Sequence, residues 1–126
     1  MTRYLTYLCL AVTLMLDMSC GRIVERERVN VSLRNSSTQS FDWAEVYFGE
    51  NKIAFGVLGG GGGGGKTYLY YEKPVTEQAR IKLIDTNHNT NEYVVSVKGV
   101  YDPKKPGTLV FEITPKGVVP HFTPLE

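Results

Sequence analysis

From Arg28 onward the chain alternates apolar and polar positions with a period of two, the pattern of strands that bury one face and wet the other. Val29, Val31 and Leu33 alternate with Asn30, Ser32 and Arg34. After the turn cluster Asn35-Ser36-Ser37-Thr38, the stretch Phe41 to Phe48 sets Ala44, Val46 and Phe48 on one face and Trp43, Glu45 and Tyr47 on the other. Gly49-Glu50-Asn51 reads as a hairpin turn, and Lys52 to Leu58 and Thr67 to Tyr71 are apolar or aromatic runs on either side of a glycine tract. Ala79, Ile81 and Leu83 alternate with Arg80 and Lys82; a polar loop, Asp85 to Asn91, precedes Tyr93, Val95 and Val97. Leu109, Phe111 and Ile113 form the last run, opened by Pro106-Gly107 and closed by Pro115. No helix-period segment is long enough to cover a sheet, so the pattern predicts an all-β fold, an antiparallel β-sandwich of about seven strands.

In this pattern the segment 28–114 resembles the immunoglobulin-like or fibronectin-like modules of small exported bacterial lipoproteins, although the Cys, Trp and Cys set of antibody domains is missing. The resemblance implies an immunoglobulin-like sandwich. Segment 115–126 holds three prolines and is expected to run along the surface or fray. No internal repeat is visible.

The N-terminus carries an address. Met1 to Arg3 is a short positive region, and Tyr4 to Leu16 is an uncharged run shorter than the roughly 20 apolar residues a spanning helix needs. Asp17-Met18-Ser19-Cys20-Gly21 follows, and here the sequence resembles the N-terminus of bacterial lipoproteins, with Asp17 where that family's motif has a Leu and Leu16 one residue earlier. The resemblance implies a signal peptide over 1–19, cleavage before Cys20, a lipid on its thiol and a short tether over 20–27. Cleavage after Gly21 is the alternative, since Ser19 and Gly21 are the small residues an ordinary signal peptidase reads; it would yield a soluble periplasmic or secreted protein. Both cysteines, Cys9 and Cys20, fall in this region, so the folded part has no thiol for a disulfide, a metal or a nucleophile.

Composition narrows the function classes. A chain of 126 residues with 42% hydrophobic and 21% charged content fits one domain. Removing residues 1–19 takes away Arg3 and Asp17 together, so the mature part keeps the net charge of +1. That lacks the basic excess a phosphate backbone demands, and no nucleic-acid partner is expected.

Gly60 to Thr67 satisfies the letters G-x-x-x-x-G-K-[ST] of a phosphate-binding loop. That chemistry needs a helix whose N-terminus faces the phosphates, whereas Tyr68-Leu69-Tyr70-Tyr71 is strand-like, so no nucleotide and no other cofactor are expected. The glycine run Gly59 to Gly65 reads instead as a mobile connection, because glycine gives up the most backbone entropy on ordering. His88 near Asp85 and the distant His121 lack metal-ligand spacing. Ser96, His88 and Asp102 supply the residue types of a hydrolytic triad without the turn that presents its nucleophile. The scattered carboxylates Asp42, Glu45, Glu50, Glu72 and Glu77 include no pair that strand register forces together, so neither a catalytic set nor a metal site is expected.

Trp43, Tyr47, Tyr68 and Tyr70 lie on strands next to the glycine run, and exposed Trp and Tyr are common ingredients of protein and sugar recognition. Core packing competes for the same rings. The expectation is therefore a non-enzymatic lipoprotein of the bacterial envelope, held to the membrane by a lipid on Cys20 and acting as a binding or structural module for an envelope protein or glycan. The alternative is a soluble exported enzyme or inhibitor on the same scaffold.

Overall fold

The computed structural model describes residues 29–61 and 64–125; the expected signal peptide over 1–19, Cys20 and the expected tether over 20–27 lie outside them. Eight strands occur among the described residues: β1 (Val29–Asn35), β2 (Phe41–Phe48), β3 (Asn51–Ala54), β4 (Gly64–Tyr71), β5 (Gln78–Asp85), β6 (Thr90–Ser96), β7 (Gly107–Thr114) and β8 (Gly117–Pro124). They form two four-stranded sheets, ordered β4-β1-β7-β8 and β3-β2-β5-β6. The fold is all-β, a sandwich with its core between the sheets. Its strand order differs from the ABED-over-CFG order of antibody constant domains.

Neighbouring strands are antiparallel except β1 and β7, which run parallel from Val29 opposite Gly107 to Asn35 opposite Ile113. A parallel pair cannot be closed by a hairpin, and here the five strands β2 to β6 serve as its crossover. The period-two reading holds where it was clearest. Val29, Val31 and Leu33 face inward from β1, Ala44, Val46 and Phe48 from β2, Ala79, Ile81 and Leu83 from β5, and Leu109, Phe111 and Ile113 from β7. Phe48 crosses between the layers, 5.3 Å from the ring of Tyr71 and 6.1 Å from that of Phe111.

Two expectations are corrected. The described part of segment 115–126 is no fraying tail: Thr114-Pro115-Lys116-Gly117 turns the chain, and β8 pairs with β7 along its whole length. The sandwich therefore extends to Pro124, and the turn residues that looked like an ending are a hairpin. The described glycines of the run, Gly59 to Gly61, Gly64 and Gly65, are also more ordered than composition implies. Gly60 N–H donates to Ser40 Oγ and Gly61 N–H to the Ser37 carbonyl, while Gly64 and Gly65 already belong to β4.

The anchor of that corner is Asn35, fully buried at the end of β1. Its Nδ2 donates to the carbonyls of Gln39 at 2.7 Å and Gly59 at 3.1 Å, and its Oδ1 accepts from Ser37 N–H and Oγ. Both ends of the amide are thus satisfied without water. The backbones pack so closely here that a Cβ on Gly60 would lie 2.3 Å from the Gln39 carbonyl oxygen, whereas one on Gly59 would meet nothing within 4 Å.

Gly60→Ala is accordingly expected to cost about 1 to 3 kcal/mol, as overpacking does, and Gly59→Ala no more than about 0.5 kcal/mol. Asn35→Ala, which orphans the groups it now satisfies, is expected to cost about 1 to 3 kcal/mol or more. Denaturant melts of the three variants check the order.

Candidate functional site

Strand β2 turns Trp43, Glu45 and Tyr47 to the outside of its sheet, and the side chains meet because residues two apart share a face. Trp43 Nε1 donates to Glu45 Oε2 at 2.7 Å, and the Tyr47 hydroxyl donates to Glu45 Oε1 at 2.8 Å. Lys52 of β3, paired in register with Tyr47, brings its ammonium within 3.5 Å of the same carboxylate. On the other flank Arg80 of β5 sets its guanidinium 4.2 Å from the centre of the Tyr47 ring and 3.5 Å from Glu92. The result is a strip of planar groups tied to one buried carboxylate, with Trp43 still 39% exposed.

Burial pushes the Glu45 carboxyl up, but the hydrogen bonds from Trp43 and Tyr47 and the Lys52 ammonium outweigh it, and its pKa lies below the ordinary value. The same bond to Glu45 raises the Tyr47 phenol. Each partner thus holds the other in its charged or protonated form.

The second pair of expected contact residues sits elsewhere. β3 and β4 are the edges of the two sheets on one side of the sandwich, and a cleft of about 330 Å³ opens between them, lined by Asn51, Lys52, Ile53, Tyr68, Tyr70, Tyr71, Glu72 and Lys73. Tyr68 and Tyr70 both line this cleft, Trp43 and Tyr47 share Glu45 on the face, and Lys52 is common to both settings. The opposite side of the sandwich is closed by β6 and β8 approaching one another.

Strict alternation along Tyr68 to Tyr71 predicts Leu69 in the core beside Tyr71, and the structure overturns this. Val29 pairs with Tyr71 but Val31 with Tyr68, so two residues of β4, Leu69 and Tyr70, face one of β1, Asn30. The extra residue is a β-bulge, with Tyr70 in the left-handed region at φ 56° and its N–H donated to the Asn30 side chain. The bulge shifts the phase: Tyr71 turns inward and is 5% exposed, while Leu69 and Tyr70 stand in solvent at 59% and 61%. Burial raises the Tyr71 phenol, whose hydroxyl has no hydrogen-bond partner among the described residues.

Other residues singled out in the sequence have structural settings. Lys66 and Thr67 lie within β4, not at a helix start, and Lys66 Nζ donates to the Phe55 carbonyl. Asp85 Oδ1 accepts the N–H groups of Asn87 and Asn89, closing the β5–β6 turn in which His88 takes φ 67°. Ser96 is at the far end of β6 from that turn, roughly 20 Å away by strand rise, so Ser96, His88 and Asp102 do not meet. A cluster not foreseen joins Ser36 Oγ and His121 Nε2 to the two oxygens of Glu112, at 2.7 and 2.8 Å. The carboxylate stands between hydroxyl and imidazole, so the imidazole cannot take the serine proton. Among the described residues no group of three or more His, Cys, Asp or Glu could hold a metal ion.

Tyr71→Phe is expected to leave stability unchanged or raise it, since it removes an unpaired buried hydroxyl. Tyr71→Ala is expected to cost about 3 to 5 kcal/mol, and Leu69→Ala less than about 1 kcal/mol; a large loss at Leu69 would refute the bulge. Because the folded Glu45 carboxyl titrates below its unfolded value, its contribution is complete above the ordinary carboxylate range and drains away as pH falls through the folded pKa. Glu45→Gln should flatten that acid limb in melts taken across pH.

No family model matches the chain, and no curated protein matches it. Among solved structures, the NMR structure of the protein from Eubacterium rectale is similar, with a TM-score of 0.50 and 12% identity over 79% of this chain and 92% of that chain, a likeness of fold alone.

Proposed function

We propose that this chain is a non-enzymatic lipoprotein of the bacterial envelope, tethered through a lipid on Cys20, whose sandwich of immunoglobulin-like architecture is a binding module for an envelope protein or glycan. The observation that carries the binding half is Glu45, a single buried carboxylate that fixes both the indole of Trp43 and the phenol of Tyr47 on an open sheet face. Rings fixed before contact lose little rotamer entropy on binding, and that is where a recognition surface gains affinity. Tyr68 would extend the contact around the β3–β4 edge, with Lys52 between.

The tether half rests on the sequence Asp17 to Gly21 after an uncharged run. Two or more acyl chains suffice for stable anchoring. Cells fed a labelled fatty acid are expected to incorporate it into the wild-type protein and not into Cys20→Ala, which should leave the membrane fraction. A mature N-terminus at Arg22 with no label would overturn the tether. For the binding half, photo-crosslinking from positions 43 and 47 in whole envelopes should give a product that Glu45→Ala weakens several-fold; adducts indifferent to Glu45 would remove the case for a pre-set surface.

A further inference from the structure

The register places Tyr71, Val29, Gly107 and Pro124 in one row across the end of the β4-β1-β7-β8 sheet, and β1 begins in that row. The chain before Val29 therefore enters at this end. The stretch from Cys20 to Val29 reaches at most roughly 30 Å even when fully extended, so a lipid on Cys20 keeps this end near the bilayer.

The same end exposes apolar side chains. The β4 bulge turns Leu69 and Tyr70 outward, and Leu125, 58% exposed, stands beyond β8, its N–H donated to the Pro106 carbonyl. β4 and β8 are three strand spacings apart, about 14 Å, so these side chains sit at two corners with the entry of β1 between them. Exposed lysines flank both corners: Lys73, which follows Glu72 beyond the end of β4, and Lys104 and Lys105 in the turn before β7. The Asp102 carboxylate in that turn is engaged in capping the Lys104 N–H. A tyrosine with a polar tip, two leucines and long-stemmed amines fit the layer between lipid tails and phosphates.

We propose that this end of the sandwich rests on the phospholipid surface, with Leu69, Tyr70 and Leu125 entering the interfacial layer and Lys73, Lys104 and Lys105 reaching the phosphate groups. The proposal rests on the Cys20 tether reading. It stands the strands upright on the membrane and leaves the Trp43 and Tyr47 face turned sideways, open to a partner.

The test attaches the mature chain, starting at Cys20, through its one thiol to maleimide-bearing lipid in phosphatidylethanolamine–phosphatidylglycerol vesicles, so that it does not depend on lipidation in the cell. With Trp43→Phe removing the native indole, a reporter is placed by Tyr70→Trp, by Leu125→Trp, or by Val119→Trp, which lies toward the opposite end of β8. Brominated lipids are expected to quench positions 70 and 125 several-fold more than 119. Leu125→Trp, at the chain's edge, keeps the result readable if the change at 70 disturbs folding. Equal quenching at all three, or none, overturns the proposal whatever the fatty-acid labelling shows. A dimer in which position 70 is shielded from lipid assigns the patch to a second copy and overturns it as well.

Discussion

The two sheets are held face to face by apolar contact, and its centre is Phe48, wholly buried against Tyr71 and Phe111 of the facing sheet. With both cysteines confined to the first 20 residues, no covalent staple joins the described layers. Tyr71 can take this position only because β4 gains a residue just before it. The bulge that turns Tyr71 inward is the same one that pushes Leu69 and Tyr70 into solvent, so one backbone irregularity settles a core contact and a surface patch together.

Glu45 does comparable work on the outside. A carboxylate this enclosed would be unfavourable alone, and it is held ionised by an indole, a phenol and an ammonium that converge on it. The arrangement converts three long or bulky side chains, each free to turn in isolation, into a fixed strip. Arg80 and its Glu92 partner continue that strip onto the next two strands.

Much of this was legible in the sequence, because a two-residue period survives wherever a strand is regular. The inward faces of β1, β2, β5 and β7 follow directly from it, and so does the shared face of Trp43, Glu45 and Tyr47. What escaped has a common cause in the backbone rather than the side chains. A bulge inserts no characteristic residue, so Leu69 reads as core until the register with β1 is known. Pro115, Pro120 and Pro124 argued against a strand after Thr114, yet β8 is an edge strand, where prolines are tolerated. Asn35 looked like one more turn residue. Its burial depends on Gly59 returning to the loop that holds Ser37 and Gln39, a convergence that local pattern does not encode. The parallel β1–β7 pair is equally nonlocal, joining the first and seventh strands.

That pair also bears on mechanics. β1 is the first strand of the described fold and lies between β4 and β7 rather than at an edge, hydrogen-bonded on both sides. A pull on the chain before Val29, directed along β1, would load both ladders in shear, with many bonds bearing it at once; a terminal edge strand peeled sideways would give way one bond at a time. The position of β1 therefore makes the entry of the chain the part of the sandwich best able to carry force.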